Sequence, residues 1–331
     1  MVVNPVFELS MVLNNDKFHR LLSKISERTD CLEESDEGYI DRLLSTSGIT
    51  VIYRNSRYKK KIKLVVNPHI MLGDDDLDSE KLIKKLSKRI DGYFCRQYSL
   101  RDFKLSKVVL TADIDVYSRE NVSAYFKVFQ RIGKVKGFSP VSYDCFDKDT
   151  SFCLEGNSNG VEFLTYDLEK AMLEQLRTKS SEKKRLRSML EKTKGIMRTE
   201  VRLTTPKVIT SYADTADTAE QISRITDKCR DIFFEVFAQI VPFGDFYKKD
   251  KAVDIIRDNV SNHVLRRKML RLVALIPEKK SLWQAQREME CRNMDAVMEE
   301  FAKIGVSPVT IGKRSEVRQL QNIYSYLLNE R

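Results

Sequence analysis

Strand segments with one apolar face and one charged face most limit how this chain can fold. Side chains alternate between the two faces of a β-strand, so residues i and i+2 share a face. In residues 108–117 (VVLTADIDVY), Asp113 and Asp115 lie together on one face. The other face of this segment is apolar throughout and consists of Val108, Leu110, Ala112, Ile114 and Val116.

Charged strand faces recur further along the chain. In residues 195–209 (GIMRTEVRLTTPKVI), Arg198, Glu200 and Arg202 share one face. Residues 151–166 predict a hairpin with a Gly- and Asn-rich turn, followed by Asp167 as the N-cap of a helix over 168–193. Carboxylates repeated on otherwise apolar strands indicate a surface that handles a divalent metal or phosphate. A solvated strand face is the alternative explanation.

The charge balance predicts an anionic partner. The 331 residues carry a net charge of +10, which favours nucleic acid first and a membrane surface second. No apolar run approaches the roughly 20 residues that a membrane-spanning helix needs, and the N-terminus lacks a signal-peptide pattern. We therefore expect a cytoplasmic protein, whose six scattered cysteines remain free thiols.

Composition predicts two regions. The segment 48–68 reads as a hairpin whose second strand carries a row of cations. A polar stretch after Pro206 then separates sheet-forming from helical sequence. We predict an α+β protein, with an antiparallel sheet flanked by helices over 1–210 and a mostly helical C-terminal region over 211–331. The cations of the hairpin strand are Arg57, Lys59, Lys61 and Lys63.

Four stretches, taken in order, resemble the rolling-circle replication initiators of phages and plasmids, especially the filamentous-phage gene II/X type. They match the family's strand followed by Asn-Pro, its acidic strand, its Gly-rich hairpin ending in Tyr-Asp, and its Arg-x-Glu strand. The stretches are LVVNPHIMLG (64–73), LTADIDV (110–116), CLEGNSNGVEFLTYDLEKA (153–171) and MRTEVRL (197–203). The resemblance implies an RRM-like core and a DNA-nicking endonuclease.

The implied reaction leaves a 5′-phosphotyrosine and a free 3′-OH, assisted by a divalent cation. Mg²⁺ and Mn²⁺ prefer carboxylate oxygens, so Asp113, Asp115 and Glu200 are the candidate ligands, with His69 as a further one. Many relatives use a His-hydrophobic-His motif, and this chain contains no His-x-His. Either the site is acidic only or it is impaired. His69 as an ordinary packed histidine and Glu200 as part of a surface charge ladder are the alternatives.

Family order places the nucleophilic tyrosine after the Arg-x-Glu strand. Among the thirteen tyrosines, this order favours Tyr247 and Tyr212. Tyr247 is preferred narrowly, because Lys248, Lys249 and Lys251 follow it and are expected to lower its pKa and bind phosphate. Tyr324 and Tyr326 look structural.

The implied partner is DNA, as an origin hairpin or a single strand, with a host helicase or polymerase as a further partner. The candidate DNA contacts are the four cations of the hairpin strand and a second set of cations, which lie near glycines, near Glu200 and near Tyr247. The additional candidates are Lys134, Lys136, Arg198, Arg202, Lys248 and Lys249. Two other hypotheses stay open: a non-catalytic DNA-binding accessory protein on the same scaffold, and a structural or protein-interaction protein of a mobile element.

Overall fold

An antiparallel sheet forms the centre of the protein. The computed structural model describes residues 2–35, 38–73, 77–143, 146–178 and 183–328. Within these residues the main sheet has ten strands, in the spatial order β2-β3-β4-β5-β1-β6-β10-β9-β8-β7. The strands are β1 (Asn4–Leu13), β2 (Leu32–Ser35), β3 (Gly38–Asp41), β4 (Ile49–Asn55), β5 (Lys60–Val66), β6 (Lys104–Asp115), β7 (Phe138–Pro140), β8 (Ser151–Gly156), β9 (Val161–Asp167) and β10 (Ile196–Leu203).

Helices precede, interrupt and follow the strands. Together with the strands they confirm the predicted α+β class. The helices are α1 (Asn15–Ser26), α2 (Pro68–Leu72), α3 (Ser79–Tyr93), α4 (Arg119–Ile132), α5 (Leu168–Thr178), α6 (Lys183–Leu190), α7 (Pro206–Ala213), α8 (Thr218–Ile240), α9 (Lys249–Asn259), α10 (His263–Lys279), α11 (Leu282–Glu288), α12 (Met294–Lys303) and α13 (Ile323–Leu328).

Local sequence fixes where several helices begin. Polar side chains accept a hydrogen bond from the backbone N–H three residues on, which satisfies one of the free N–H groups of the first turn. Asn14 caps α1, Asp78 caps α3 and Ser118 caps α4 in this way. The predicted cap at Asp167 is confirmed, since its Oδ1 accepts from Lys170 N at 3.2 Å.

One face of the sheet is apolar and covered by helices. The alternation predicted for the acidic strand is confirmed, because its even-numbered side chains from Val108 to Ile114 are buried. Buried side chains of α1, α3, α4, α7 and α8 join the same hydrophobic cluster. Removal of this apolar surface from water stabilises the fold and fixes which face of each strand points inwards. We call the opposite side the polar face; it carries Glu8, Lys63, Asp113, Arg198 and Tyr166.

The N-terminal half has a recognisable topology. The elements β1, α1, β4, β5, α3 and β6 follow one another as βαββαβ, and their strands lie in the order β4-β5-β1-β6. This arrangement is that of the split βαβ unit found in ferredoxin-like and RRM sheets. β10, β9, β8 and β7 extend the sheet beyond β6.

The C-terminal region is helical apart from a short pair of strands, β11 (Phe246–Tyr247) and β12 (Gln319–Leu320). It shares one hydrophobic cluster with the sheet. Tyr125 on α4 donates a hydrogen bond to the Gln321 carbonyl at 2.6 Å, which ties the last part of the chain to the sheet layer. The boundary predicted at residue 210 falls inside α7, and its status as a domain boundary stays a prediction.

Of the helix expected over 168–193, the structure describes α5 and α6, and residues 179–182 lie outside the described part. One prediction about local structure needs correction. Arg57 and Lys59 do not lie on the hairpin strand with Lys61 and Lys63. They lie in the preceding turn, because Ser56 Oγ donates to the Lys59 carbonyl and accepts from Lys59 N, and so closes a tight loop.

A buried hydroxyl network gives a test of the core. Tyr93 donates to Asp41 Oδ2 at 2.5 Å and contacts Tyr53 Oη at 2.8 Å, and all three residues are buried. Tyr93→Phe leaves the Asp41 carboxylate short of a donor, and we expect it to lower the free energy of unfolding by about 1–3 kcal/mol in urea denaturation. Tyr58→Phe, at a side chain that is 90% exposed, serves as the control and should leave stability unchanged. Equal effects of the two variants would contradict the network.

Candidate functional site

The register of β6 and β10 builds a charged pair on the polar face. Arg198 lies directly opposite Asp113, and side chains opposite each other in an antiparallel pair share a face. Arg198 Nε and Nη2 donate to Asp113 Oδ1 and Oδ2 at 2.6 and 2.7 Å. Such a two-pronged contact fixes the plane of the guanidinium group and therefore its direction on the sheet.

A second cluster lies one step along the same strand. Tyr166 on β9 donates to Glu200 Oε1 at 2.6 Å. Arg202 Nε donates to the other oxygen, Oε2, at 2.8 Å, and its guanidinium also lies 3.6 Å from Glu162. The Tyr166 hydroxyl and the Glu200 carboxylate are thus hydrogen-bonded to each other, and Arg202 binds the same carboxylate. A second arginine, Arg198, lies two residues before Glu200 on β10.

Burial sets the protonation of this cluster. Burial, followed by the negative charge of Glu200, raises the pKa of Tyr166, so its phenol holds its proton at neutral pH. Burial alone would lower the pKa of Arg198 and of Arg202, but their carboxylate partners outweigh burial and hold both pKa values above the usual range. The resting site is therefore a neutral phenol that donates to a carboxylate between two permanent cations.

The ring of Tyr166 forms part of the wall of a cavity. Phe146 stacks on this ring with centroids 4.4 Å apart. This cavity has a volume of about 500 Å³, and Lys170 and Arg177 of α5 line it. Tyr166 itself is 8% exposed.

The acidic residues do not fit a preformed metal site as they are arranged. Asp113 is held by Arg198 and Glu200 by Arg202, which places cations where a metal ion would have to bind. Within the described residues no group of three or more His, Cys, Asp and Glu side chains is placed to hold a metal ion. The prediction of Mg²⁺ or Mn²⁺ stays a prediction.

The remaining predicted ligands lie apart from this cluster. Asp115 is exposed on the polar face, and its Oδ1 accepts from Tyr117 N at 2.8 Å. His69 lies on α2, where its Nε2 is buried without a hydrogen-bond partner among the described residues. Asp167 caps α5, as the sequence predicted.

The structure does not bring Tyr212 or Tyr247 to the acidic strands. Tyr212 lies on α7, which packs against the apolar side of the sheet, and its hydroxyl is 3.5 Å from Glu235. Burial raises the pKa of Tyr212 to about 12. Tyr247 follows Phe246, whose ring packs against α4 on that same side.

The expectation that lysines activate Tyr247 is wrong. Its hydroxyl donates to Asp245 at 3.0 Å, and burial followed by this contact raises its pKa. A raised pKa weakens a phenol as a nucleophile near neutral pH, and burial and Glu200 raise the pKa of Tyr166 in the same way. Whether either tyrosine reacts stays a prediction. Tyr166 is distinguished by the two arginines that lie beside its carboxylate partner.

The predicted DNA-contacting cations occupy several places. Lys61 and Lys63 lie on the polar face, and Lys63 forms an ion pair with Glu8 across β1 and β5. Burial, then Lys63, Lys59 and Arg54, lower the pKa of Lys61, which records how closely the positive charges are grouped there.

Four further predicted cations, Lys134, Lys136, Lys248 and Lys249, lie outside the polar face. Lys134 Nζ lies 5.1 Å from the centroid of the Trp283 ring, and Lys136 is exposed in the same loop. Lys248 and Lys249 lie at the start of α9, next to Tyr247. Their role as DNA contacts stays a prediction. No helix among the described residues has the length and apolar character to cross a membrane.

Comparison with known proteins identifies no family for this chain. The chain matches no protein-family model, and no curated protein matches it. The site is therefore interpreted from its own residues.

Sequence reasoning missed Tyr166. The signal was available, since Glu162, Leu164 and Tyr166 alternate on one strand face and the Arg-x-Glu-x-Arg pattern alternates on another. Only the register between β9 and β10, which places Arg198 opposite Tyr166 and Glu200 opposite Leu164, brings the hydroxyl within reach of the carboxylate.

Removal of the Tyr166 hydroxyl tests this geometry without any assay of activity. Tyr166→Phe leaves Glu200 Oε1, on a side chain that is 9% exposed, without its donor. We expect the free energy of unfolding to fall by about 1–3 kcal/mol in urea denaturation. Tyr212→Phe removes only a long contact to an exposed partner and is the matched control, with an expected change within about 0.5 kcal/mol. No difference between the two would show that the Tyr166–Glu200 contact is not formed.

Proposed function

We propose that this protein is a rolling-circle replication initiator that binds a DNA strand on the polar face and nicks it with Tyr166. The observation that carries the proposal is the Tyr166–Glu200 hydrogen bond of 2.6 Å, flanked by Arg198 and Arg202. A phenol, a carboxylate to accept its proton and cations to hold a phosphate are the parts that transesterification requires.

The residues have separate roles in this reaction. Glu200 accepts the phenolic proton while the Tyr166 oxygen attacks the phosphorus, so that one P–O bond forms and the bond to the 3′ oxygen breaks. The departing 3′ oxygen takes a proton from water, and the 5′ side stays attached to the tyrosine. The guanidinium groups of Arg198 and Arg202 stabilise the charge on the non-bridging oxygens.

The arrangement of charge supports a DNA path over the polar face. Lys61 lies opposite Val12, whereas Thr111, next to Asp113, lies opposite Asn4. From Asn4 to Val12, the eight steps along β1 span roughly 27 Å at the usual rise of a strand. A DNA backbone that crosses the sheet diagonally would meet the cations at one end and the tyrosine at the other.

A divalent cation belongs to the proposal only as an additional factor. It would have to displace Arg198 from Asp113 or Arg202 from Glu200. The chain's own arginines supply the positive charge that the phosphate needs, so no step of the proposed reaction depends on the metal.

A non-catalytic DNA-binding accessory protein is the second candidate. The low exposure of Tyr166, at 8%, favours it, because a nucleophile must reach its phosphate. This candidate keeps the polar face as the binding surface and predicts DNA binding without any covalent product.

A pool of random-sequence single strands tests nicking without knowledge of the origin. Wild-type protein should give a covalent protein–DNA product that survives denaturing electrophoresis. Tyr166→Phe should lower its yield by at least about 10³-fold, because the nucleophilic oxygen is gone.

Tyr212→Phe and Tyr247→Phe are the matched controls and should retain the product. A product that survives in Tyr166→Phe and disappears in Tyr247→Phe would overturn the assignment of Tyr166. No product from wild type, with strands still bound, would support the non-catalytic candidate.

A further inference from the structure

A basic cavity lies on the helical side of the sheet, away from Tyr166. Its volume is about 680 Å³. The end of α1, the turn before β4, α2 and α3 line it. Because α1 and α3 cover the apolar face, this cavity and the polar-face site lie on opposite sides of the sheet.

One side of α3 gives the cavity its charge. Lys85, Lys88 and Arg89 are spaced i, i+3 and i+4, so they share one face of the helix. The adjoining face holds Leu82 and Leu86, which are buried. Like charges at this spacing repel one another and destabilise a helix. A bound anion would offset this repulsion.

Arg28 adds a fourth cation from the end of α1. Its Nη1 donates to the Tyr93 carbonyl at 3.3 Å and to Cys95 Sγ at 3.0 Å, contacts that hold the guanidinium at the cavity. Among the described residues no carboxylate lines this cavity, and none pairs with its four cations.

Neutral groups complete the lining. Thr46 and Ser47 bring hydroxyl groups to the wall, which donate well to phosphate oxygens. Leu43 and Ile70, each 49% exposed, form an apolar rim. The lining therefore combines positive charge and hydrogen-bond donors with an apolar edge.

We propose that this cavity binds the phosphate backbone of a second DNA segment while the polar face holds the strand to be nicked. The four cations and two hydroxyls match a run of backbone phosphates in charge and in donor chemistry. This inference rests on the proposed function only in its choice of DNA as the ligand. It gives the protein two DNA surfaces separated by the sheet, so that a duplex stem and a single strand can be held together.

Paired charge variants test the second surface. The test variant is K85Q/K88Q/R89Q, and the control is K127Q/K207Q/K228Q, which removes the same charge from exposed lysines elsewhere. Affinity for a duplex of about 20 base pairs is measured by fluorescence anisotropy between roughly 50 and 200 mM salt. Relative to wild type, the slope of log affinity against log salt should become shallower by about 2–3 in the test variant and by less than about 1 in the control. Thermal unfolding of both variants checks that each is folded.

Three outcomes decide the inference. Equal slopes for the two variants would overturn it. A second result would also overturn it: inorganic pyrophosphate binds saturably through Lys85, Lys88 and Arg89, while the slope for duplex binding is unchanged. The cavity would then bind a small phosphate ligand. A slope difference, with nicking of single strands intact in the test variant, would support it.

The same data separate this inference from the proposed function. If wild type nicks no strand but the two variants differ in slope, the nicking proposal fails and the second DNA surface stands. If wild type nicks and the variants bind duplex alike, only the second surface fails.

Discussion

The pairing of β6 with β10 is the constraint on which the rest of the structure depends. With Arg198 opposite Asp113, the apolar residues of both strands face the helices and the charged residues face the other way. A slip of one residue would turn every side chain of β10 over and bury Arg198, Glu200 and Arg202 against the core. The same register therefore builds the hydrophobic core and the charged site, and neither can change without the other.

Much of the fold follows from local patterns in the sequence. The alternation over 108–117, the hairpin turn before Val161 and the caps at Asp78 and Ser118 were all predictable, because each depends on residues close together in the chain. In the hairpin turn Ser158 and Gly160 adopt positive φ angles of 74° and 71°, as the predicted turn requires.

The site itself depended on contacts between distant residues. Asp113 and Glu200 were recognised as acids on one strand face, but a sequence does not show which cation lies across the sheet. Strand order and register bring Arg198 to Asp113 and Tyr166 to Glu200, over separations of 85 and 34 residues. A cluster that reads as metal ligands in the sequence is, in the structure, a set of carboxylates already paired with arginines.

These pairings bear on the chemistry of the proposed reaction. A metal-assisted mechanism needs free carboxylates, whereas an arginine-assisted mechanism needs guanidinium groups that can exchange carboxylate for phosphate. Both Asp113 and Glu200 are paired with arginines, so the proposal uses the second mechanism. Arrival of a phosphate would also compete for Arg202 and leave Glu200 better able to accept the proton of Tyr166, so substrate binding and activation of the nucleophile would be coupled.

Peptide mass spectrometry of the covalent protein–DNA product tests the central claim most directly. Trypsin releases Tyr166 in the peptide 149–170 and Tyr247 in the peptide 231–248, and each peptide contains a single tyrosine. After nuclease digestion of the bound strand, the account predicts a nucleotide attached through phosphate to the peptide 149–170. A nucleotide on the peptide 231–248, with 149–170 unmodified, would contradict it.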